Sequence, residues 1–144
     1  MSGHIFPLNA GRSFGPGITV KVEHGASPSF AVFESKLPAS WEGPPPHLHR
    51  TQDEAFYVLD GSVTFSLDGR SKLCTAGSFI FVPRGSAHGF GTTDLPARIL
   101  VMMTPEAIRL VEEIYKASSA GEVDPDAVAA IYEQYDSQIL PHRR

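Results

Sequence analysis

The chain has 144 residues, of which 42% are hydrophobic and 19% charged, and its formal net charge is −4. This composition is typical of one globular domain with its own core rather than of a disordered chain. No basic stripe is present, which argues against nucleic acid or an anionic membrane as a partner, and no apolar run approaches the ~20 residues that span a bilayer.

The single cysteine, Cys74, excludes an intrachain disulfide and favours a reducing compartment. The first residues lack the basic start and the long apolar segment of a secretory signal. We therefore expect a cytoplasmic protein with a single domain over residues 1–144. Cys74 has no cysteine neighbour for a thiolate metal site, and we interpret it as a small buried hydrophobic residue.

Six short segments rich in Val, Ile, Phe and Thr predict β-strands. They cover residues 18–24, 29–37, 54–60, 62–68, 78–83 and 97–103. The Asp-Gly pairs 60–61 and 68–69 lie between such segments and predict tight hairpin turns. Because no helical pattern separates the strands, we expect an all-β antiparallel sandwich or barrel with a core of about 17–103.

The pattern changes after Met103. Thr104-Pro105-Glu106 predicts a helix start, with a capping residue, a proline in the first turn and an acid beside it, and 124–126 repeats the signal. Apolar residues then recur at helical spacing. We expect two short C-terminal helices, in an extension of about 104–136, packed on the outside of the β-domain.

The segment PPPHLHRTQDEAFYVLDG, residues 44–61, contains candidate metal ligands. His47 and His49 are two positions apart, so in an extended strand both imidazoles lie on one face. Glu54 follows at the start of a predicted strand, and His88 lies just beyond a Pro-x-Gly turn. Three imidazoles and one carboxylate suit divalent Fe, Mn, Co, Ni, Cu or Zn.

Asp53 is a rival of Glu54 for the acidic position. We prefer Glu54 for its spacing, its place at the strand start and its longer reach, and we expect Asp53 to face solvent or to accept a histidine N–H. His4, His24 and His142 belong to no such pattern and are interpreted as ordinary polar residues, the last of them in a frayed tail.

Two motifs in the chain resemble the signature motifs of the cupin superfamily. Residues 47–61 read H-x-H-x4-E-x6-G, and residues 77–88 read G-x5-P-x-G-x2-H. The resemblance covers about residues 40–92 by motif, and extends to about 103 by strand spacing. It implies a cupin-type jelly-roll barrel, the double-stranded β-helix, with one divalent transition metal inside one end. The ligands that it implies are His47, His49, Glu54 and His88.

The chain departs from the family motifs at two positions. Trp41 stands where the first motif usually has a glycine, six residues before the first histidine, and Thr92 stands where the second motif usually ends in asparagine. Gly43 lies closer to the histidines, followed by three prolines, and we expect this stiff segment to aim His47 into the barrel. Neither departure removes a ligand that the resemblance implies.

Alternation along the strands predicts an apolar pocket with one charged, metal-bearing end. The expected lining residues are Phe33, Phe56, Val58, Phe79, Phe81, Phe90 and either Val101 or Met102. Arg50 and Arg84 are the cations expected nearby, both on loops. A flat aromatic, enol or small organic acid fits such a lining better than a sugar phosphate does.

Within the superfamily, the PPPHLH…DEAFYVLDG segment resembles the quercetin-dioxygenase-like branch. This resemblance implies a metal-dependent oxygenase acting on a small enol, aromatic or organic-acid molecule, with Glu54 as ligand and catalytic base. Two alternatives stay open: a non-redox metal-dependent isomerase, cyclase or lyase, and a non-catalytic cupin that holds a small ligand. The family also implies a homodimer, for which Tyr115, Tyr132 and Tyr135 offer a surface.

Overall fold

The computed structural model describes residues 3–121 and 123–141, and His142 lies outside this part of the chain. In chain order the elements are β1 (Arg12–Phe14), β2 (Ile18–Val22), β3 (Ala31–Leu37), β4 (His47–His49), β5 (Glu54–Asp60), β6 (Ser62–Leu67), β7 (Arg70–Thr75), β8 (Phe79–Val82), β9 (His88–Thr92), β10 (Ala97–Met103), α1 (Pro105–Ser119), α2 (Pro125–Gln134) and β11 (Ser137–Ile139).

The strands form two antiparallel sheets that pack face to face. One has the order β1-β2-β3-β10-β5-β8 and the other the order β11-β4-β9-β6-β7. Consecutive strands such as β3 and β4, or β8 and β9, lie in different sheets, so the chain winds back and forth between the two layers. This is the jelly-roll arrangement, and it confirms the predicted all-β class with two short C-terminal helices.

The core lies between the sheets, because alternate residues of each strand point inward. Phe56 and Val58 of β5 are buried there, as are Ile99 and Val101 of β10. The ring of Phe56 meets that of Phe65 from the opposite sheet, with centroids 5.0 Å apart. One continuous apolar core therefore joins the two layers.

The two Asp-Gly pairs behave differently. Asp68-Gly69 forms a two-residue turn between the paired strands β6 and β7, with φ of 48° and 81°, and this hairpin prediction is confirmed. Gly61 closes no hairpin, since β5 and β6 belong to different sheets. A Cβ there would lie 2.5 Å from the Pro96 carbonyl oxygen, so the glycine is required where the chain crosses between layers.

The side chains of strand β8 point to the opposite faces of the sheet from those predicted. Ile80 and Val82 are buried, whereas Phe79 and Phe81 are 58% and 53% exposed. The pairing register explains this, because the inward-facing Phe56 lies opposite Ile80. A shift of one residue moves every side chain of a strand to its other face, so the prediction that Phe79 and Phe81 line the pocket is wrong.

The helices begin at the predicted prolines, and the Asp124 carboxylate caps α2 by accepting the main-chain N–H of Asp126 at 3.2 Å. They pack on the β-domain as predicted, with their apolar stripes turned inward. Ile108 of α1 joins the barrel core, and Leu110 packs with Tyr132 in a second apolar cluster. No helix in the described part of the chain is long and apolar enough to cross a membrane.

Candidate metal centre

The two sheets bring four potential ligands together inside one end of the barrel. His47 and His49 lie on β4, and His47 is paired in register with His88 on β9. Glu54, the first residue of β5, faces them from the opposite sheet. All four side chains are buried, and one nitrogen or oxygen donor from each lies within 4.8 Å of the other three.

Glu54 is the hub of the cluster. Its Oε2 atom lies 3.1 Å from Nε2 of His49 and 3.1 Å from Nε2 of His88. The imidazoles of His47 and His88 are neighbours, with ring centroids 4.2 Å apart. The Nε2 atoms of His49 and His88 therefore converge on the carboxylate.

Each histidine also makes a hydrogen bond through Nδ1, on the side of the ring away from the centre. The contacts are His47 with the Pro45 carbonyl at 2.8 Å, His88 with the Ser86 carbonyl at 3.1 Å, and His49 with Ser137 Oγ at 2.7 Å. A carbonyl can only accept, so Nδ1 carries the proton in His47 and His88, and Nε2 is the atom available to a metal.

The ionisation of the cluster follows from burial and from its own hydrogen bonds. Burial and the neighbouring imidazoles lower the pKa of His47 to about 3, so its ring is neutral. Burial opposes ionisation of Glu54, but hydrogen bonds from His49 and His88 outweigh it and hold the carboxyl pKa below its ordinary value. Burial favours the neutral form of His88, but the hydrogen bond to Glu54 outweighs it, so the net pKa of His88 is above its ordinary value.

This cluster could hold one divalent transition metal. Ligands placed 2.0–2.2 Å from a single ion lie at most about 4.4 Å apart, so donors within 4.8 Å need shifts of a few tenths of an ångström. Three imidazoles and one carboxylate match the borderline-hard donor set of Fe, Mn, Co, Ni, Cu or Zn. The structure thus brings together the four residues that the motifs indicated.

Asp53 points away from this centre. Its carboxylate accepts the main-chain N–H of Arg84 at 2.9 Å and pairs with the Arg84 guanidinium at 2.9 Å. These bonds lower the pKa of Asp53 to about 2. Of the two expectations for Asp53, the solvent-facing one is therefore confirmed, with 42% of the side chain exposed. The histidine N–H groups are accepted by Pro45, Ser86 and Ser137 instead.

The other charged candidates are also held elsewhere. Arg50 pairs with Glu133 at 3.0 Å, so neither it nor Arg84 lines the cavity. His24 contacts Glu106 at 3.0 Å on the surface, as expected of an ordinary polar residue. Cys74 is buried, in agreement with its interpretation as a hydrophobic side chain.

A cavity of about 510 Å³ ends at the cluster. Its barrel walls include four of the residues that were predicted to line it, Phe33, Phe56, Phe90 and Val101. Trp41 also lines it and meets Phe90 edge to face, with centroids 5.6 Å apart. The cavity is therefore largely apolar, with His47, His49 and Glu54 at its inner end. His88 is fully buried and contacts Glu54 without lining the cavity.

The two departures from the family motifs lie side by side at this wall. The main-chain N–H of Trp41 donates to Thr92 Oγ1 at 2.9 Å, and the main-chain N–H of Thr92 donates to the Trp41 carbonyl at 2.9 Å. Thr92 thereby anchors the backbone that presents the indole to the cavity.

The C-terminal segment supplies two residues that the sequence analysis did not place at the site. Tyr132 of α2 lines the cavity, with its ring 5.1 Å from that of His47. Burial and the Glu54 carboxylate raise its pKa, so the phenol stays protonated. Ser137 of β11 contacts His49. The apolar stripe of α2 predicted that Tyr132 is buried but not which residues it would contact. Strand β11 has only three residues, which is too short for a periodic pattern that would have identified Ser137.

Comparison with known proteins identifies the class. The family model described as "Cupin domain" matches residues 33–103, which span strands β3 to β10 and all four candidate ligands. Together with the jelly-roll sheets, this match makes the chain a member of the cupin superfamily.

Individual relatives are distant. An uncharacterized protein of Aquifex aeolicus is 32% identical over 60 residues, which are 42% of this chain and 50% of that protein, so the chain spans about half the length of this curated relative. KdgF from Halomonas sp. is similar in structure, with TM-score 0.59 and 21% identity over 72% of this chain and 94% of that one. The polyketide cyclase RemF from Streptomyces resistomycificus gives TM-score 0.58 and 27% identity over 73% and 80% of the two chains.

Proposed function

We propose that this cupin is a metal-dependent enzyme for an enolisable carbonyl or phenolic molecule, and that its reaction is a non-redox cyclisation or elimination. The observation that carries the proposal is the His47, His49, Glu54 and His88 cluster at the inner end of a largely apolar cavity of about 510 Å³. Such a cavity suits a flat apolar molecule that presents one oxygen to the polar end. The similarity to the polyketide cyclase RemF supports the same class of molecule.

A divalent metal held by the four residues would supply Lewis-acid polarisation of a substrate oxygen and, if it were redox-active, activation of dioxygen. The protein's own residues would do the rest. Both histidine contacts of Glu54 use Oε2, which leaves Oε1 to accept a substrate proton. The protonated phenol of Tyr132 is available as a donor beside His47, and the Trp41 and Phe90 rings offer stacking surfaces.

An oxygenase is the second candidate. It is favoured by the resemblance of residues 44–61 to the quercetin-dioxygenase-like branch, and by the donor set, since three imidazoles and one carboxylate would also hold a redox-active metal. The same residues serve both candidates, so the dependence on dioxygen distinguishes them.

The test uses protein reconstituted separately with Zn, Ni, Co, Mn, Fe and Cu and supplied with 1,3-diketones, flavonols and linear aromatic polyketides. Conversion to a cyclised or eliminated product by mass spectrometry, at equal rates with and without oxygen, is expected. Consumption of dioxygen in step with turnover would establish the oxygenase instead. Stoichiometric retention of a molecule without conversion would overturn both and indicate a binding protein.

A matched pair of variants ties the result to the cluster. His88→Ala removes a buried candidate ligand, while His24→Ala removes an exposed histidine paired with Glu106. We expect His88→Ala to lose metal and turnover and His24→Ala to keep both. Full metal content in His88→Ala by elemental analysis would contradict the ligand assignment.

A further inference from the structure

The three histidines of the cluster are oriented by two different kinds of contact. His47 and His88 each bond a main-chain carbonyl two residues earlier, so their own local turns orient them. His49 bonds Ser137, which lies 88 residues further along the chain. Its orientation therefore depends on a segment outside both sequence motifs.

The Tyr135 carbonyl determines which hydrogen bond the Ser137 hydroxyl donates and which it accepts. The hydroxyl donates to the Tyr135 carbonyl at 3.1 Å, which uses its single proton. Ser137 Oγ is then an acceptor for His49 Nδ1–H at 2.7 Å. His49 Nδ1–H thus donates to Ser137 Oγ, and Ser137 Oγ–H donates to the Tyr135 carbonyl. With Nδ1 occupied in this way, Nε2 is the atom of His49 that faces Glu54.

Ser137 is held firmly enough to do this. It is fully buried, and β11 pairs with β4 so that Ser137 lies directly opposite His49. The main chain on either side is tied down as well, because Arg50 N–H donates to the Asp136 carbonyl at 2.9 Å and Leu140 N–H donates to the Pro46 carbonyl at 2.8 Å.

We propose that Ser137 is a positioning residue, which selects the His49 tautomer and aims its Nε2 at the metal, so that docking of the C-terminal strand β11 is a requirement for tight metal binding. The proposal rests on the metal site of the proposed function. It adds a fifth residue to that site, supplied by a strand that lies beyond the matched cupin segment 33–103.

Removing the hydroxyl leaves the buried Nδ1–H of His49 without an acceptor and the ring free to turn. Loss of such an outer contact costs roughly 10- to 100-fold in metal affinity. We therefore expect zinc affinity, measured by competition with a chromophoric chelator on the full chain, to fall by that factor in Ser137→Ala. Ser137→Thr, which keeps the hydroxyl, is expected to restore most of it.

The control is Ser71→Ala, an exposed serine on β7 at the far edge of the same sheet, which should bind zinc like the wild type. A second readout is the long-range ¹H–¹⁵N spectrum of the zinc-loaded wild type, in which His49 should show a protonated Nδ1 and a coordinating Nε2. This measurement needs no variant, so it decides the question even if Ser137→Ala folds poorly.

Zinc affinity of Ser137→Ala within twofold of the wild type, or coordination of His49 through Nδ1, would overturn the role of Ser137 while leaving the metal site intact. Failure of the wild type itself to bind zinc or any other divalent metal would instead refute the proposed function. The two failures are distinguished by the first titration of the series.

Discussion

At the residue scale, Glu54 is the most consequential side chain. A carboxylate buried among three imidazoles has no full positive charge beside it unless a histidine is protonated, and buried charge without compensation is costly. Glu54 Oε2 lies 3.1 Å from Nε2 of His49 and of His88. A ring that donates from both Nδ1 and Nε2 carries a positive charge, so such a contact offsets the carboxylate only when that imidazole is protonated. A divalent cation in the same place would compensate the carboxylate more completely, so the site is expected to be a stability element as well as a chemical one.

Metal binding should therefore stabilise the fold. A ligand that binds only the native state at a hundredfold excess over its Kd adds about 2.7 kcal/mol to the free energy of unfolding. We expect the melting temperature to rise by several degrees on addition of zinc or nickel and to return on addition of EDTA, as measured by differential scanning calorimetry. An unchanged melting temperature in the wild type, or an equal rise in His88→Ala, would contradict the assignment.

The affinity for metal should also depend on pH. The hydrogen bond to Glu54 raises the pKa of His88 despite burial, so in the metal-free protein a proton persists on His88 to higher pH. That proton must leave before Nε2 can bind a metal, so acid weakens binding and affinity increases as pH rises until His88 is neutral. Calorimetric titration at a series of pH values, in buffers of different ionisation enthalpy, should show proton release that diminishes as the pH rises. Affinity that does not change across this series would exclude such competition.

At the element scale, the proline segment before β4 is a rigid entry to the site. Gly43 has φ of 80°, and a Cβ there would lie 1.5 Å from the Phe90 carbonyl oxygen. The Pro45 carbonyl two residues on accepts His47 Nδ1–H, so a shift of this backbone would move a ligand. This segment therefore helps to set the position of His47, a candidate metal ligand.

Gly43→Ala tests this role. We expect it to lower the free energy of unfolding by more than 2 kcal/mol, a rough figure for backbone strain plus a steric clash, and to weaken metal binding. Gly77→Ala is the control, because Gly77 has φ of 91° but no atom of the described residues within 4 Å of its would-be Cβ. Urea denaturation should show the larger loss for Gly43→Ala, and equal losses would refute the close-approach argument.

At the scale of the whole molecule, the three tyrosines of the C-terminal segment offer little exposed surface for the expected homodimer. Tyr132 and Tyr135 are buried and Tyr115 is half-buried against the core. The outer face of the β5–β8 pair is exposed instead, with Phe79 beside Tyr57 and Phe81 beside Ala55. This patch carries no charge and lies at the sheet edge, so two copies could meet there without repulsion.

We propose that a second copy of the chain covers this patch. The double variant Phe79→Ser and Phe81→Ser is expected to shift the protein from dimer to monomer in size-exclusion chromatography with light scattering. Leu73→Ser, which changes a similarly exposed apolar residue on β7, should leave the mass unchanged. A monomeric wild type, or a dimer that survives the double variant, would refute this interface.

Local features of the sequence were sufficient for much of the fold. Alternation and β-branched content located six of the strands, which are β2, β3, β5, β6, β8 and β10. Proline with a flanking acid located both helix starts. The motif spacing identified His47, His49, Glu54 and His88 as one group before any contact was known. The strand and helix signals are readable because they depend only on neighbours in the chain, whereas the grouping of His88 with the other ligands rested on the resemblance to the cupin motifs.

The tertiary structure alone decided three things: the facing of β8, the crossing of the chain at Gly61, and the arrival of Tyr132 and Ser137 at the metal centre. Each depends on which strand or ring lies opposite, and that partner is distant in sequence. Phe79 and Phe81 alternate as regularly as inward-facing residues do, and only the pairing of β8 with β5 places them outside. The sequence by itself thus determined the donor set, whereas the packing of remote segments determined which residues orient and enclose it.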